Sequence, residues 1–296
     1  MAEIRIGTAS WTERTLLGSG KFYPHETTTA EGRLRFYAGH FDTVEVDSTY
    51  YAPPAERNSV LWANRTPPGF IFNIKAYSML TKHPTAIKSI PRVLFSGLPE
   101  NYKKSDRERG FPKEIVEAAF DMFASALRPL KEAKKMGCVV FQFPPWFLPS
   151  PESYDWLDLV NEKLAGYCIA VEFRNRQWLQ SDERKKVFQF LRDRGMSYVA
   201  VDAPWVTGWE GPIDLTTDTP YIRLHGRNRE AWFKKGVTTE EKYRYEYNPE
   251  ELKTWKDRIE KVSVQTNLVF VIFNNCYQDY AIRNAGMMKE LFKEKM

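Results

Sequence analysis

The sequence predicts an α/β fold, a closed (β/α)8 TIM-like barrel, and three observations predict it. Eight short β-branched or aromatic runs each end abruptly in polar or charged residues. Stretches with a 3.6-residue apolar period separate most of them, and such alternation implies parallel strands under a coat of helices. Eight strands in 296 residues is the number that closes a barrel, whereas an open doubly wound sheet usually carries fewer strands and a glycine-rich first turn. Neither GxGxxG nor a Walker loop occurs.

The elements follow in order. IRIGTAS from Ile4 is the first strand, and Leu34 to Phe41 carries the first helical period. DTVEVDS from Asp42 alternates Val44 and Val46 with Glu45 and Asp47, the two-residue period of a strand; Ala55 to Asn64 follows as helix. FIFNIKA from Phe70 leads into Thr81 to Gly110, where Pro84, Pro91, Gly97 and Pro99 forbid a long helix. A long loop or lid after the third strand is expected there, with helix returning from Glu114 to Lys135. CVVFQF from Cys138 precedes the helical stretch Tyr154 to Leu164, and CIAVEFR from Cys168 precedes Glu183 to Arg194. SYVAVDA from Ser197 is followed by Pro204 to Pro220, which has no helical period, so the sixth crossover reads as degenerate. YIRLHGR from Tyr221 and LVFVIFNN from Leu268 are followed by helices at Pro249 to Val262 and Tyr280 to Phe292. No linker divides the chain, so one domain over 1–296 is expected.

Composition narrows the class. Hydrophobic residues make up 43% and aromatics 15% of the chain, which is core material that a disordered chain lacks. The 43 Lys+Arg against 38 Asp+Glu leave +5, a mild bias beside the concentrated basic face of a dedicated nucleic-acid binder. Cys138, Cys168 and Cys276 each sit in an apolar run without a Cys-x-x-Cys pair, and read as reduced core thiols of a cytoplasmic protein. The opening MAEIRIGTASW has neither a secretory pattern nor a membrane anchor.

In a barrel strand one parity faces the helices and must be apolar, while the other faces inward and varies near the C-terminal mouth. The charges keep to the inward parity: Glu45 and Asp47 on the second strand, Glu172 and Arg174 on the fifth, Arg223, His225 and Arg227 on the seventh. The remaining strand ends add Thr8 or Ser10, Lys75, Gln142, Asp202 and Asn274. Buried charges must pair, meet water or meet a ligand, so these residues form either a self-neutralising ring of salt bridges or a site. Glu172, with Glu45 or Asp202 as second carboxylate and His225 as a neutral base between two arginines, are the catalytic candidates. Lys75, Arg174, Arg223 and Arg227 make a candidate anion cradle. Tyr50, Tyr51, Trp11, Trp146 and Trp178 either wall a pocket or pack beneath loops. Four histidines without HxH or HExxH spacing argue against a multi-zinc centre; a single Mg²⁺ or Mn²⁺ on Glu45, Glu172 or Asp202 stays open.

The motifs GTASW at Gly7–Trp11, VEVDSTYY at Val44–Tyr51, QFPPWF from Gln142, VEFRNRQW at Val171–Trp178, YIRLHGR at Tyr221–Arg227 and VFVIFNN at Val269–Asn275 resemble those of the YecE-like family, a domain-of-unknown-function family numbered 72. The resemblance runs along nearly the whole chain. It implies a TIM-like barrel and no established activity; the opening reads GTASW where the family favours GTSGW. His83, in TKHP, resembles the family's Thr-x-His or Thr-His element and joins the substrate-binding candidates with Gln142, Asn274, Tyr51 and Trp11.

The leading expectation is an acid–base enzyme, a hydrolase or lyase, acting on a phosphate-bearing or glycosidic small molecule. The alternatives are a nucleic-acid-binding or repair-associated barrel and a barrel that binds a ligand without catalysis. Oligomeric state is open, and no membrane association is expected.

Overall fold

The computed structural model describes residues 2–205 and 213–293. Eight parallel strands form the sheet: β1 (Glu3–Ala9), β2 (Thr43–Val46), β3 (Ile71–Lys75), β4 (Met136–Phe143), β5 (Cys168–Phe173), β6 (Met196–Asp202), β7 (Tyr221–Leu224) and β8 (Leu268–Phe273). Their hydrogen-bonded order, β1-β8-β7-β6-β5-β4-β3-β2, closes on itself. All eight expected runs are strands of the barrel. The larger helices are α1 (Ala30–Ala38), α2 (Glu56–Asn64), α3 (Lys113–Glu132), α4 (Pro151–Lys163), α5 (Ser181–Asp193), α6 (Pro249–Ser263) and α7 (Tyr280–Lys293). Part of the sixth crossover, 206–212, lies outside the described residues; 213–220 carry no helix.

Contacts divide the chain into two compact units. The first comprises Met1–Glu45, Arg65–Phe70 and Ser197–Met296. Here β1 runs beside β8 in unbroken register from Glu3 against Leu268 to Thr8 against Phe273, and β8 continues to β7 and β7 to β6. Val269, Val271 and Phe273 are buried, as are Phe270 and Ile272 on the other parity, the continuous apolar run expected of a strand covered on both faces. α6 begins with a capping box of Asn248 and Glu251 and with Pro249 at its first position, where proline's missing N–H costs nothing.

The second unit comprises Val46–Asn64 and Ile71–Met196. β4 and β5 pair residue for residue from Cys138 against Cys168 to Phe143 against Phe173. The register between β3 and β4 shifts between Phe72 and Ile74, where the Asn73 side-chain oxygen accepts the Cys138 N–H at 2.8 Å in place of a ladder bond. A Cβ on Gly137 would lie 2.4 Å from that oxygen, so the close approach requires glycine. The long segment after β3 is built of small pieces: helices Arg92–Ser96 and Glu100–Lys103, and a two-stranded hairpin pairing Thr85–Ala86 with Arg107–Glu108.

Candidate functional site

In the first unit, the polar residues converge on two buried carboxylates. Glu45, at the end of β2, receives Arg223 Nη2 at 2.7 Å and the Tyr221 hydroxyl at 2.9 Å, and neither Glu45 nor Arg223 is exposed. β2 and β7 are not neighbours in the closed order, so this pair reaches across the barrel interior, which fixes the inward parity of Glu45, Tyr221 and Arg223. Asp202, at the end of β6, accepts Arg227 Nε at 2.9 Å on both oxygens, Arg227 Nη2 at 2.6 Å and the Trp255 indole N–H at 2.7 Å. Arg227 also donates to Glu251 at 2.8 Å. These are multiply bonded, charge-assisted contacts of the strong kind.

His225 follows β7 and is fully buried. Its backbone N–H donates to the Asp202 carbonyl at 2.8 Å, and the Asn274 amide nitrogen lies 2.8 Å from its Nδ1. An amide N–H donated to Nδ1 leaves the ring proton on Nε2. Cys276 donates its thiol to the Ala9 carbonyl at 3.1 Å. Gly226 adopts φ +88°, and its N–H donates to the Tyr247 hydroxyl at 2.9 Å. Buried Asn284 accepts from the Tyr247 N–H and from the Asn275 amide, tying the turns after β7 and β8 to α7. Trp11 is buried. Beyond β7 lies a cavity of about 810 Å³ whose lining includes Arg227, Arg229, Lys234 and Arg244 with Glu230 and Glu241.

The second unit holds a differently built cluster. Glu172, fully buried, accepts the Gln142 amide at 2.5 Å, while Arg174 Nε stands 3.7 Å from the same oxygen. Lys75 Nζ stands 3.6 Å from Asp47 and 5.2 Å above the Tyr50 ring. The Lys75 and Arg174 side chains are 14% and 19% exposed. His83 lies beside them, its Nδ1 2.9 Å from the Thr81 hydroxyl, with ring contacts to Tyr50 at 5.3 Å and Trp146 at 5.8 Å. Burial, and the positive charge of Arg174, Lys75 and Arg107, lower His83 from 6.5 to about 4, so its imidazole is neutral at pH 7. Tyr51 is 66% and Trp146 49% exposed. Trp178 instead is buried, stacked on Phe173 at 4.5 Å and donating to the Phe147 carbonyl at 2.7 Å.

The structure thus brings together Glu45 with Arg223, Asp202 with Arg227, His225 with Asn274, and Gln142 with Glu172 and Arg174. Sequence reasoning missed Tyr221, Trp255 and Glu251 as partners of the charges, and Arg107 as a neighbour of His83. Arg107 sits in a run that reads as a solvated loop; the hairpin holds that loop against the segment after β3, where Arg107 donates to the Pro84 carbonyl at 2.5 Å. No sequence signal marks that pairing. Among the described residues no group of three or more His, Cys, Asp or Glu is placed to hold a metal ion, and no helix is long and apolar enough to cross a membrane.

A family model described as a protein of unknown function, DUF72, matches residues 5–296. The chain is 31% identical over 295 residues to the UPF0759 protein YunF of Bacillus subtilis strain 168, covering 97% of this chain and 94% of that one. It is similar to the crystal structure of a DUF72 family protein from Enterococcus faecalis V583, with TM-score 0.77 and 26% identity over 98% of this chain and 95% of that chain. A DUF72 family protein from Thermotoga maritima MSB8 is similar at TM-score 0.75 and 29% identity, over 98% and 99% of the two chains.

Proposed function

We propose that this chain, which belongs to the DUF72 family, binds the anionic group of a small phosphate-bearing molecule through Lys75 and Arg174 and acts on it by acid–base chemistry. One observation carries the reading: two cations from different strands, Lys75 and Arg174, stand close enough to the same imidazole, His83, for both to disfavour its charged form, and their side chains keep 14% and 19% of their surface accessible. Two cations sharing one partly accessible place favour an anion there, and a guanidinium fork matches a phosphate group.

The roles follow from the neighbours. Glu172 is the carboxylate of the site, held by the Gln142 amide. His83, kept neutral by burial and by the three nearby cations, has the protonation state of a base at pH 7. Exposed Trp146 and Tyr51 offer ring faces for the body of the molecule. In the first unit, His225 with Asn274 is the second acid–base candidate, and the Glu45–Arg223 and Asp202–Arg227 pairs hold the ends of β2, β6 and β7. A cytoplasmic location is consistent with three cysteines that include no Cys-x-x-Cys motif.

Thermal melts across a phosphate titration test this. A hundredfold excess of phosphate over its dissociation constant stabilises the native state by about 2.7 kcal/mol, so the wild-type midpoint should rise and that of Lys75→Ala or Arg174→Ala should not. An unchanged wild-type midpoint, or equal shifts in all three proteins, would refute the anion site. Binding that instead requires an oligonucleotide and falls steeply with salt would point to a nucleic-acid partner.

A further inference from the structure

Cys138 and Cys168 occupy corresponding positions near the start of β4 and at the start of β5, and are direct partners in the ladder. Side chains alternate along a strand, so the two thiols share a face of the sheet with the pairs Val140–Ala170 and Gln142–Glu172 above them. Directly opposed residues on neighbouring strands have Cα atoms roughly 4.8 Å apart, inside the window of about 4.4–6.8 Å that a disulfide spans. The sulfurs are in contact, with Cys138 buried and Cys168 partly accessible. Read from sequence, these are two unrelated core thiols 30 residues apart; the strand register makes them a pair.

We propose that Cys138 and Cys168 are a modification site, a dithiol that a small hydroperoxide converts to a reversible disulfide. Cys168, the more accessible, attacks first. Its thiolate sulfur bonds to one peroxide oxygen as the O–O bond breaks, leaving a sulfenic acid and hydroxide. Cys138 then loses its proton, its sulfur attacks the Cys168 sulfur, and the S–O bond breaks to release water. Two thiols and one hydrogen peroxide give one disulfide and two waters: the sulfurs lose two electrons and the peroxide gains them. Burial and contact with Cys168 push the Cys138 thiol well above its usual range, which suits the resolving role rather than the attacking one. Exchange with a reduced dithiol reverses the bond.

The test uses the full-length reduced protein, treated with one equivalent of hydrogen peroxide, blocked with iodoacetamide under denaturing conditions, and digested. The expected result is a linked Cys138–Cys168 peptide lacking two hydrogens, with Cys276 alone alkylated. Dithiothreitol should restore alkylation at both sites, and the oxidised protein should melt higher than the reduced one because the bridge closes a loop in the unfolded chain. Cys276→Ser should keep the link. Cys138→Ala should leave a sulfenic acid on Cys168 that dimedone traps. Full alkylation of Cys138 and Cys168 after peroxide, a link involving Cys276, or no dimedone adduct on Cys168 would overturn the proposal. The wild-type peptide map decides even where a variant fails to fold.

Discussion

Buried charges in this protein differ in what they would cost to remove. Glu45 accepts from Tyr221 and Arg223, and Arg223 lies with it out of water, so Glu45→Gln removes a buried negative charge from beside a buried guanidinium. Loss of one partner of such a pair costs about 3–5 kcal/mol; denaturant unfolding of Glu45→Gln should show a loss of that size. Lys75→Ala and Arg174→Ala, whose side chains keep contact with solvent, should each cost less than that. Equal destabilisation of all three would mean that the second-unit cations are as structural as Arg223. His83 adds a pH signature. Its folded value, about 4, lies below its ordinary 6.5, so the unfolded chain binds the proton more tightly. His83 therefore contributes stability that is complete above about pH 6.5 and is lost as pH falls toward 4. In His83→Gln, the stability-against-pH curve between these values should be flatter; an unchanged slope would show that other groups set it. At this scale the sequence revealed which residues are inward, because parity is periodic, but not which acid meets which base. Arg223 finds Glu45 across the barrel and Glu172 accepts from Gln142 on the next strand, pairings set by tertiary geometry that no local spacing encodes.

Elements were legible where a period could form. All eight runs became strands, and the seven helical stretches correspond to α1–α7 with ends moved by a few residues, as at α1, which starts at Ala30 behind a Thr29 cap rather than at Leu34. The segment after β3 was legible only as loop, since helices of five and four residues and a ladder of two residue pairs are too short to carry a period. The β3–β4 irregularity was not legible at all, because it depends on one side chain replacing a ladder bond. It makes a sharp prediction: Gly137→Ala would press on the Asn73 oxygen that holds the Cys138 N–H, and should lower stability by about 1–3 kcal/mol, the range for overpacking. Gly226→Ala faces both a left-handed φ of +88° and a Tyr245 Cβ only 2.6 Å away, and should displace His225 and Arg227 together. Wild-type stability in either variant would contradict the tight approaches described here.

For the molecule as a whole, the sequence expectation of one domain over 1–296 is tested by unfolding: it predicts a single cooperative transition, with circular dichroism and tryptophan fluorescence coinciding. Two separated transitions would mean that the two compact units fold independently. The fold was legible from the count of eight strands and their parity, but the occupant of the strand ends was not, since many chemistries share this barrel. The most direct test of the anion site is therefore an anomalous-scattering map from crystals soaked in tungstate, a heavy analogue of phosphate, because it surveys every basic surface at once. The principal peak should lie within hydrogen-bond reach of Lys75 Nζ and the Arg174 guanidinium. A principal peak in the cavity lined by Arg229 and Lys234, or no peak beside Lys75 and Arg174, would contradict it.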